Sequence, residues 1–205
     1  MTHHCSNTKF VLKCDDDVAV DVYHLHVFLG QYIEDPLSHF YLCYINQNNK
    51  PQRQAAKKWF VSLKEYPHDS YPKYCVGGAY VTNIPTMKSI LQVSQYEPYF
   101  WIDDVFLTGI LTEKLAHPLH MYNWANCFLI DHVDQETEIL QGTLFSREIM
   151  VAFDIDPKSI LHLSYKFKLC HEKRCYEDIY KDHEMISHLK PPVHVLPQTK
   201  IKVEL

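Results

Sequence analysis

Short apolar runs alternate along the chain with stretches whose apolar residues recur at helical spacing. The runs are rich in β-branched and aromatic residues, which predicts strands. These predicted strands lie at 9–14, 39–45, 58–61, 74–82 and 148–153. Asp21 and Pro85 are typical helix-start residues. Helices are accordingly predicted at 21–34, 85–93, 103–115 and 176–189. Because strands alternate with helices, the sequence predicts the α/β class.

The composition argues against a nucleic-acid-binding protein and against a membrane-spanning segment in this sequence. The chain has 205 residues, about the size of one domain. Its formal net charge is −5, and since it lacks a basic surplus we expect no nucleic-acid partner. No apolar stretch approaches the ~18 residues that a membrane span needs. The first residues also lack the basic-then-apolar layout of a signal peptide.

The number and spacing of the cysteines indicate whether the protein binds zinc and whether its compartment is reducing or oxidising. There are 7 of them and no C-x-x-C pair, which argues against a zinc ribbon or finger. Cys170 and Cys175 can bridge, although sequence alone does not determine connectivity. The cysteine content is compatible with a reducing cytosol and favours an oxidising lumen, where one thiol stays free or pairs outside the chain.

Three aspartates, Asp15, Asp16 and Asp17, directly follow the first predicted strand. On an extended backbone, Asp15 and Asp17 point to one side and Asp16 to the other. Two carboxylates at that spacing can bind one hard divalent cation, which can neutralise a diphosphate leaving group. The alternative interpretation is a solvated acidic turn.

A second acidic pair, Asp103 and Asp104, begins a predicted helix. Acids at a helix N-terminus are favoured by capping and by the helix dipole, and that is one interpretation. The other is a general base within hydrogen-bond reach of a reacting hydroxyl.

Two further features lie between these acidic groups. Gly77 and Gly78 interrupt a predicted strand and are 2 of only 5 glycines, which predicts a bulge or a close approach of a ligand to the backbone. The segment from Trp59 to Tyr80 is dense in aromatic residues. Core packing explains such residues most simply, although aromatic rings also stack on sugar faces.

The order of these motifs resembles that of a known family. Residues 10–18 (FVLKCDDDV) resemble the strand and D-x-D motif of the β-1,3-galactosyltransferase-like family of glycosyltransferases. Residues 58–61 (KWFV), 66–67 (YP) and 71–81 (YPKYCVGGAYV) are similar to its K-W-[YF]-V, Y-P and Y-P-x-Y-C-x-G-x-[GA]-Y-V blocks. Residues 102–109 (IDDVFLTG) are similar to its [IP]-[ED]-D-V-[YF]-x-G block.

The resemblance implies a GT-A fold, a Golgi membrane anchor with the enzyme on the lumenal side, and a divalent metal, usually manganese. It also implies inverting transfer of a hexose or N-acetylhexosamine from a UDP-sugar to a glycan acceptor on protein or lipid. Asp15 and Asp17 would hold the metal and the diphosphate, and Asp104 would deprotonate the acceptor hydroxyl. The other residues expected at the site are Asp16, Trp59, Gly77, Gly78 and Asp103.

Two departures from the family pattern shape the expectations. Family members have a long α/β segment before the D-x-D strand, whereas here the motif begins at Asp15. We therefore expect an incomplete GT-A-like core whose first, nucleotide-binding half and anchor are missing. On this interpretation residues 1–165 are the C-terminal portion of the glycosyltransferase domain. Residues 166–205 are a C-terminal extension, a helix plus a tail.

The second departure concerns a metal ligand. Residues 151–157 resemble the family's V-x-H-x-[IV]-x-P stretch, with Phe153 at the position of a histidine that can reach the metal. His162 is nearby and can substitute for it.

Two alternatives to catalysis remain. The departures are compatible with a non-catalytic fragment or pseudoenzyme of the same family. A calcium-dependent carbohydrate-binding module could use the aspartate triplet, but the triplet lacks the alternating acidic loop of an EF-hand.

Overall fold

The fold was determined as a computed structural model that describes residues 7–32, 38–124, 128–129, 151–152 and 157–172. The predicted helix at 176–189, Phe153 and Cys175 lie outside the described residues. Within them, strands and helices alternate in the first half of the chain, as the α/β class predicts.

A four-stranded mixed sheet forms the centre of the described structure. Its strands are β1 (Phe10–Cys14), β3 (Phe40–Asn46), β4 (Tyr74–Asn83) and β5 (His120–Asn123). The spatial order is β1-β4-β3-β5, and β4 runs antiparallel to both of its neighbours while β3 and β5 are parallel. Three two-residue strands, β2 (Ala19–Val20), β6 (Phe128–Leu129) and β7 (Val151–Ala152), form a second sheet.

Helices flank the sheet, and their ends match the sequence signals. Helix α1 (Val22–Tyr32) begins after Asp21, whose Oδ1 accepts the His24 N–H at 3.0 Å. Helix α2 (Ile84–Ser94) has Pro85 in its first turn and Asn83 as its N-cap. Both predicted helices are therefore confirmed.

The predicted helix after Asp104 is also present, but it opens with a π-helical turn (Val105–Ile110). The turn continues into the short α3 (Leu111–Glu113). Single π-helical turns are rare and occur frequently at functional sites. A later helix, α4 (Pro157–Glu172), was not predicted, and it includes both residues 165 and 166. The proposed division of the chain at that point stays a prediction.

The sheet is buried on both faces because alternate residues of β3 enter two apolar clusters. Tyr41 and Cys43 join the cluster that also contains Ile90 and Phe106. Phe40 and Leu42 point the other way, into a cluster with residues of α1. A strand covered on both sides has no polar face, which explains its continuous apolar run.

A disulfide between Cys43 and Cys75 joins β3 to β4, with a Cα–Cα distance of 5.5 Å. The sequence did not indicate this pair. Cys170 is also disulfide-bonded, and Cys14 is an exposed free thiol.

One predicted strand is wrong. Residues 58–61 form no strand; Phe60 makes only an isolated bridge to Gln52. The segment belongs to the long connection between β3 and β4, and Arg53 organises that connection by donating to the carbonyl oxygens of Val61, Tyr66 and His68. Those carbonyls are satisfied by a side chain, so no strand ladder is needed there.

No helix among the described residues has the length and apolar character needed to cross a bilayer.

Candidate active site

The site begins at an irregularity in β4. Along β1 the pairing is regular, from Phe10 opposite Asn83 to Cys14 opposite Ala79. Along β3 it shifts, because Cys43 pairs with Tyr80 and Ile45 with Cys75, so that one residue of β3 faces four of β4. Gly77 and Gly78 lie within that stretch, and the predicted bulge is confirmed.

The side chain of Asp104 packs directly on Gly77. A Cβ added at Gly77 would lie 3.1 Å from Oδ2 of Asp104 and 3.2 Å from its Cβ and Cγ. Any side chain at this position would therefore have to displace the carboxylate. The close approach at Gly77 is thus made by a side chain of the same chain, and the predicted approach by a ligand stays a prediction.

The backbone around Asp104 is tied to β4. Its Oδ1 accepts the Val105 N–H at 2.8 Å, and its carbonyl oxygen accepts the Thr108 hydroxyl at 2.6 Å. Oγ1 of Thr108, which is fully buried, accepts the Cys75 N–H at 2.8 Å. The capping interpretation is thus correct for Asp104, and the same bonds hold its second carboxylate oxygen against Gly77.

Burial raises the pKa of the Asp104 carboxyl above its usual range. The neighbouring Asp103 charge raises that pKa further, whereas the backbone N–H groups of Val105 and Gly77 and the charge of Lys13 lower it. A carboxylate whose pKa is moved toward neutrality is a better proton acceptor, so the environment suits a general base.

Lys13 connects the two acidic groups, and sequence reasoning missed it. Its ammonium donates to Oδ1 of Asp15 at 2.5 Å and to the carbonyl oxygen of Gly77. The same nitrogen lies 4.0 Å from Oδ2 of Asp103. The signal was available: a lysine in an otherwise apolar strand, two residues before an acidic triplet, needs a partner for its charge.

The aspartate triplet is exposed. The Asp15 N–H donates to the Gly78 carbonyl at 2.9 Å, and the backbone then turns at residues 16 and 17. The extended backbone assumed for this triplet is therefore wrong, because the chain turns once the carboxylates reach solvent. The structure brings Asp15, Gly77, Asp103 and Asp104 together around Lys13 and leaves Asp16 and Asp17 in the exposed turn.

The donor chemistry of Asp15 and Asp17 fits a hard divalent cation, which binds carboxylate oxygens and keeps waters or phosphate oxygens as further ligands. Among the residues that the structure describes, no group of three or more His, Cys, Asp or Glu side chains could hold a metal ion. His162 is exposed on α4, and the structure does not bring it together with Asp15 and Asp17 as a third ligand.

Trp59 lies in the connection between β3 and β4 and stacks on Trp101. Their ring centroids are 5.9 Å apart and the rings are inclined by only 13°. The Lys58 ammonium lies 4.8 Å from the centroid of the Trp59 ring. Sequence reasoning singled out Trp59 but not its partner.

Two acidic groups at the end of a mixed sheet, one exposed and one partly buried against a glycine bulge, define a candidate enzyme site. Comparison with known proteins agrees: the model of the galactosyltransferase family matches residues 1–121. The chain belongs to the galactosyltransferase family.

Curated relatives carry related names. The chain is 32% identical over 161 residues to beta-1,3-galactosyltransferase 5 of Homo sapiens, which covers 77% of this chain and 48% of that protein. The mouse protein of the same name is 36% identical over 113 residues, 55% of this chain and 36% of that protein.

A third relative is lactosylceramide 1,3-N-acetyl-beta-D-glucosaminyltransferase B of Xenopus laevis. It is 31% identical over 113 residues, 55% of this chain and 29% of that protein. The chain spans about half the length, or less, of the curated relatives it matches.

Proposed function

We propose that this chain contributes the acceptor side of a GT-A glycosyltransferase that transfers a hexose or N-acetylhexosamine from a UDP-sugar to a glycan hydroxyl. The single observation that carries the proposal is the Asp104 carboxylate. It is partly buried, packs on Gly77, and its pKa is raised by burial. Family membership and the names of the relatives support the same reaction class.

In the proposed reaction, Asp104 accepts the proton of the acceptor hydroxyl. The oxygen forms a bond to the anomeric carbon of the donor as the bond from that carbon to the diphosphate oxygen breaks. The electron pair leaves with UDP, and attack from the opposite side inverts the configuration. The bonds to Val105 and the contact with Gly77 hold the carboxylate in place for this step.

The aspartates that follow β1 would bind the UDP-sugar donor. Asp15 and Asp17 would hold Mn²⁺, which when bound neutralises the charge of the leaving diphosphate. Lys13 orients Asp15 and separates its charge from that of Asp103. We propose Gly78, Asp16 and Trp59 as further residues of the cleft.

We propose the Golgi lumen as the compartment and a glycan on protein or lipid as the acceptor. The disulfide between Cys43 and Cys75 supports an oxidising compartment.

A test is the Asp104→Asn variant, which keeps the shape and removes the base. We expect the transfer rate to fall by about 10²–10⁴-fold, because that is the typical contribution of general base catalysis. Binding of Mn²⁺ and UDP, measured by calorimetry, should remain. Asp69→Asn, in an exposed part of the β3–β4 connection, is the matched control and should leave the rate unchanged. An undiminished rate for Asp104→Asn would remove Asp104 as the base.

One observation favours a second candidate, a non-catalytic member of the family. The Lys13 ammonium already pairs with the Asp15 oxygen that a cation would need. If the folded chain binds neither UDP nor Mn²⁺ and transfers no galactose or N-acetylglucosamine from the UDP-sugars, the second candidate replaces the first.

A further inference from the structure

Two partly exposed indole rings, those of Trp59 and Trp101, stack on each other, and Trp101 precedes the candidate base Asp104 by three residues. The side chain of Trp59 is 53% exposed and that of Trp101 is 36% exposed, yet the two rings stack on each other. Contiguous exposed apolar surface can mark a ligand site, and tryptophan combines a large apolar face with one polar N–H group.

The connection that carries Trp59 is rigidly built. Arg53 donates to the carbonyl oxygens of Val61, Tyr66 and His68 at 2.8–2.9 Å. Val61, two residues after Trp59, is fully buried, and its N–H donates to the Gln52 carbonyl at 2.8 Å. Because these bonds fix the backbone on both sides, Trp59 is preorganised at the surface.

Trp101 is held in place by the residues on either side of it in the chain. Phe100 before it is buried, and the carbonyl oxygen of Ile102 after it accepts the Phe106 N–H at 2.9 Å. Trp101 precedes Asp104 by three residues, so their Cα atoms are at most about 11 Å apart. That separation is short enough for a sugar that packs on Trp101 to reach the Asp104 carboxylate.

The groups at the pair can bind a hydroxyl-rich ligand by hydrogen bonds and by apolar contact. The Lys58 ammonium lies over the Trp59 ring, 4.8 Å from its centroid, where it can donate hydrogen bonds to the hydroxyl oxygens of a sugar. The exposed part of the Trp101 ring offers apolar area to the C–H face of a sugar ring.

We propose that Trp59 and Trp101 together form the acceptor subsite, on which a pyranose ring of the acceptor glycan packs. This rests on the proposed transferase function. It adds Trp101, and the stacking of the two rings, to the residues expected at the site.

The test compares Trp101→Ala and Trp101→Phe with the wild-type chain. Tyr96→Ala is the matched control, since Tyr96 is 82% exposed and lies nearby in sequence. We expect Trp101→Ala to raise the KM for the acceptor by about tenfold, the size of one aromatic contact, and Trp101→Phe to restore much of it. The KM for the UDP-sugar and the rate of donor hydrolysis without acceptor should stay within about twofold of wild type.

A second measurement separates this proposal from the transferase function. Tryptophan fluorescence is titrated with the methyl glycosides of galactose, N-acetylglucosamine and N-acetylgalactosamine. Saccharide-dependent quenching that is lost in Trp101→Ala supports the subsite even in a chain that transfers nothing. The proposal is overturned if no glycoside changes the fluorescence. It is also overturned if transfer proceeds with an unchanged acceptor KM in Trp101→Ala, or if that variant alters only self-association in sedimentation.

Discussion

Gly77→Ala should test the contact on which the candidate site depends. The new Cβ would lie 3.1 Å from Oδ2 of Asp104 and 3.2 Å from its Cβ and Cγ, whereas ordinary van der Waals contact begins at 3.4 Å. The two atoms at 3.2 Å sit at the base of the Asp104 side chain, and the backbone there is tied by Val105 and Thr108. The carboxylate can therefore yield only if the start of the helix also moves.

The required shift is a few tenths of an ångström. A misplacement of ~1 Å costs about 10²-fold in rate. Scaled to the smaller shift, we expect kcat to fall about three- to tenfold in Gly77→Ala. Overpacking a tight contact costs about 1–3 kcal/mol of folding stability. For a domain of this size, each kcal/mol lowers Tm by roughly 2–4 °C.

The assay is kcat for transfer together with calorimetric binding of UDP and Mn²⁺. Binding should be unchanged, since Gly77 contacts the base and not the exposed aspartate triplet. Gly30→Ala is the matched control, because a Cβ there meets nothing within 4 Å in helix α1; it should leave kcat unchanged and raise stability by about 0.5–1 kcal/mol. An unaltered kcat in Gly77→Ala, or an equal loss of UDP binding, would refute the reasoning.

The remaining predictions concern charge and covalent structure. Asp103→Asn removes a negative charge that raises the pKa of Asp104, so the acid limb of the pH profile of kcat/KM should move to lower pH. Lys13→Met removes a positive charge that lowers the same pKa, so the acid limb should move to higher pH. Asp104→Asn should raise Tm at pH 7, because burial disfavours the ionised carboxylate in the folded chain. Replacing Cys43 and Cys75 by alanine opens a loop of 32 residues and should cost about 3–4 kcal/mol, seen as a lower Tm that reductant reproduces in the wild-type chain.

The strands and helices nearest the site were predictable because their signals are local. β1, β3 and β4 are apolar runs of strand length, α1 begins directly after Asp21, and α2 has Pro85 in its first turn. The bulge was predictable for the same reason, since two glycines in a strand pattern indicate an irregularity wherever the strand lies.

The two wrong predictions, the strand at 58–61 and the extended aspartate triplet, both concern segments whose conformation depends on contacts with distant residues. Residues 58–61 have strand-like composition, but Val61 bonds to Arg53 and Gln52 and the Phe60 N–H donates to the Lys57 carbonyl oxygen, so no ladder forms. The turn at residues 16 and 17 follows from where β1 ends against Gly78. The hydrophobic pattern of a short segment does not indicate which residues, distant in the sequence, will be its hydrogen-bond partners.

The sequence by itself determined the class of fold, the order of the motifs and the two acidic groups, because each depends on residues adjacent in the chain. Only the tertiary structure decided that Lys13 lies between Asp15 and Asp103, that Cys43 meets Cys75, and that Trp59 stacks on Trp101. Such contacts depend on strand register and on the path of a long connection. Both are set by packing of the whole sheet, which no local pattern encodes.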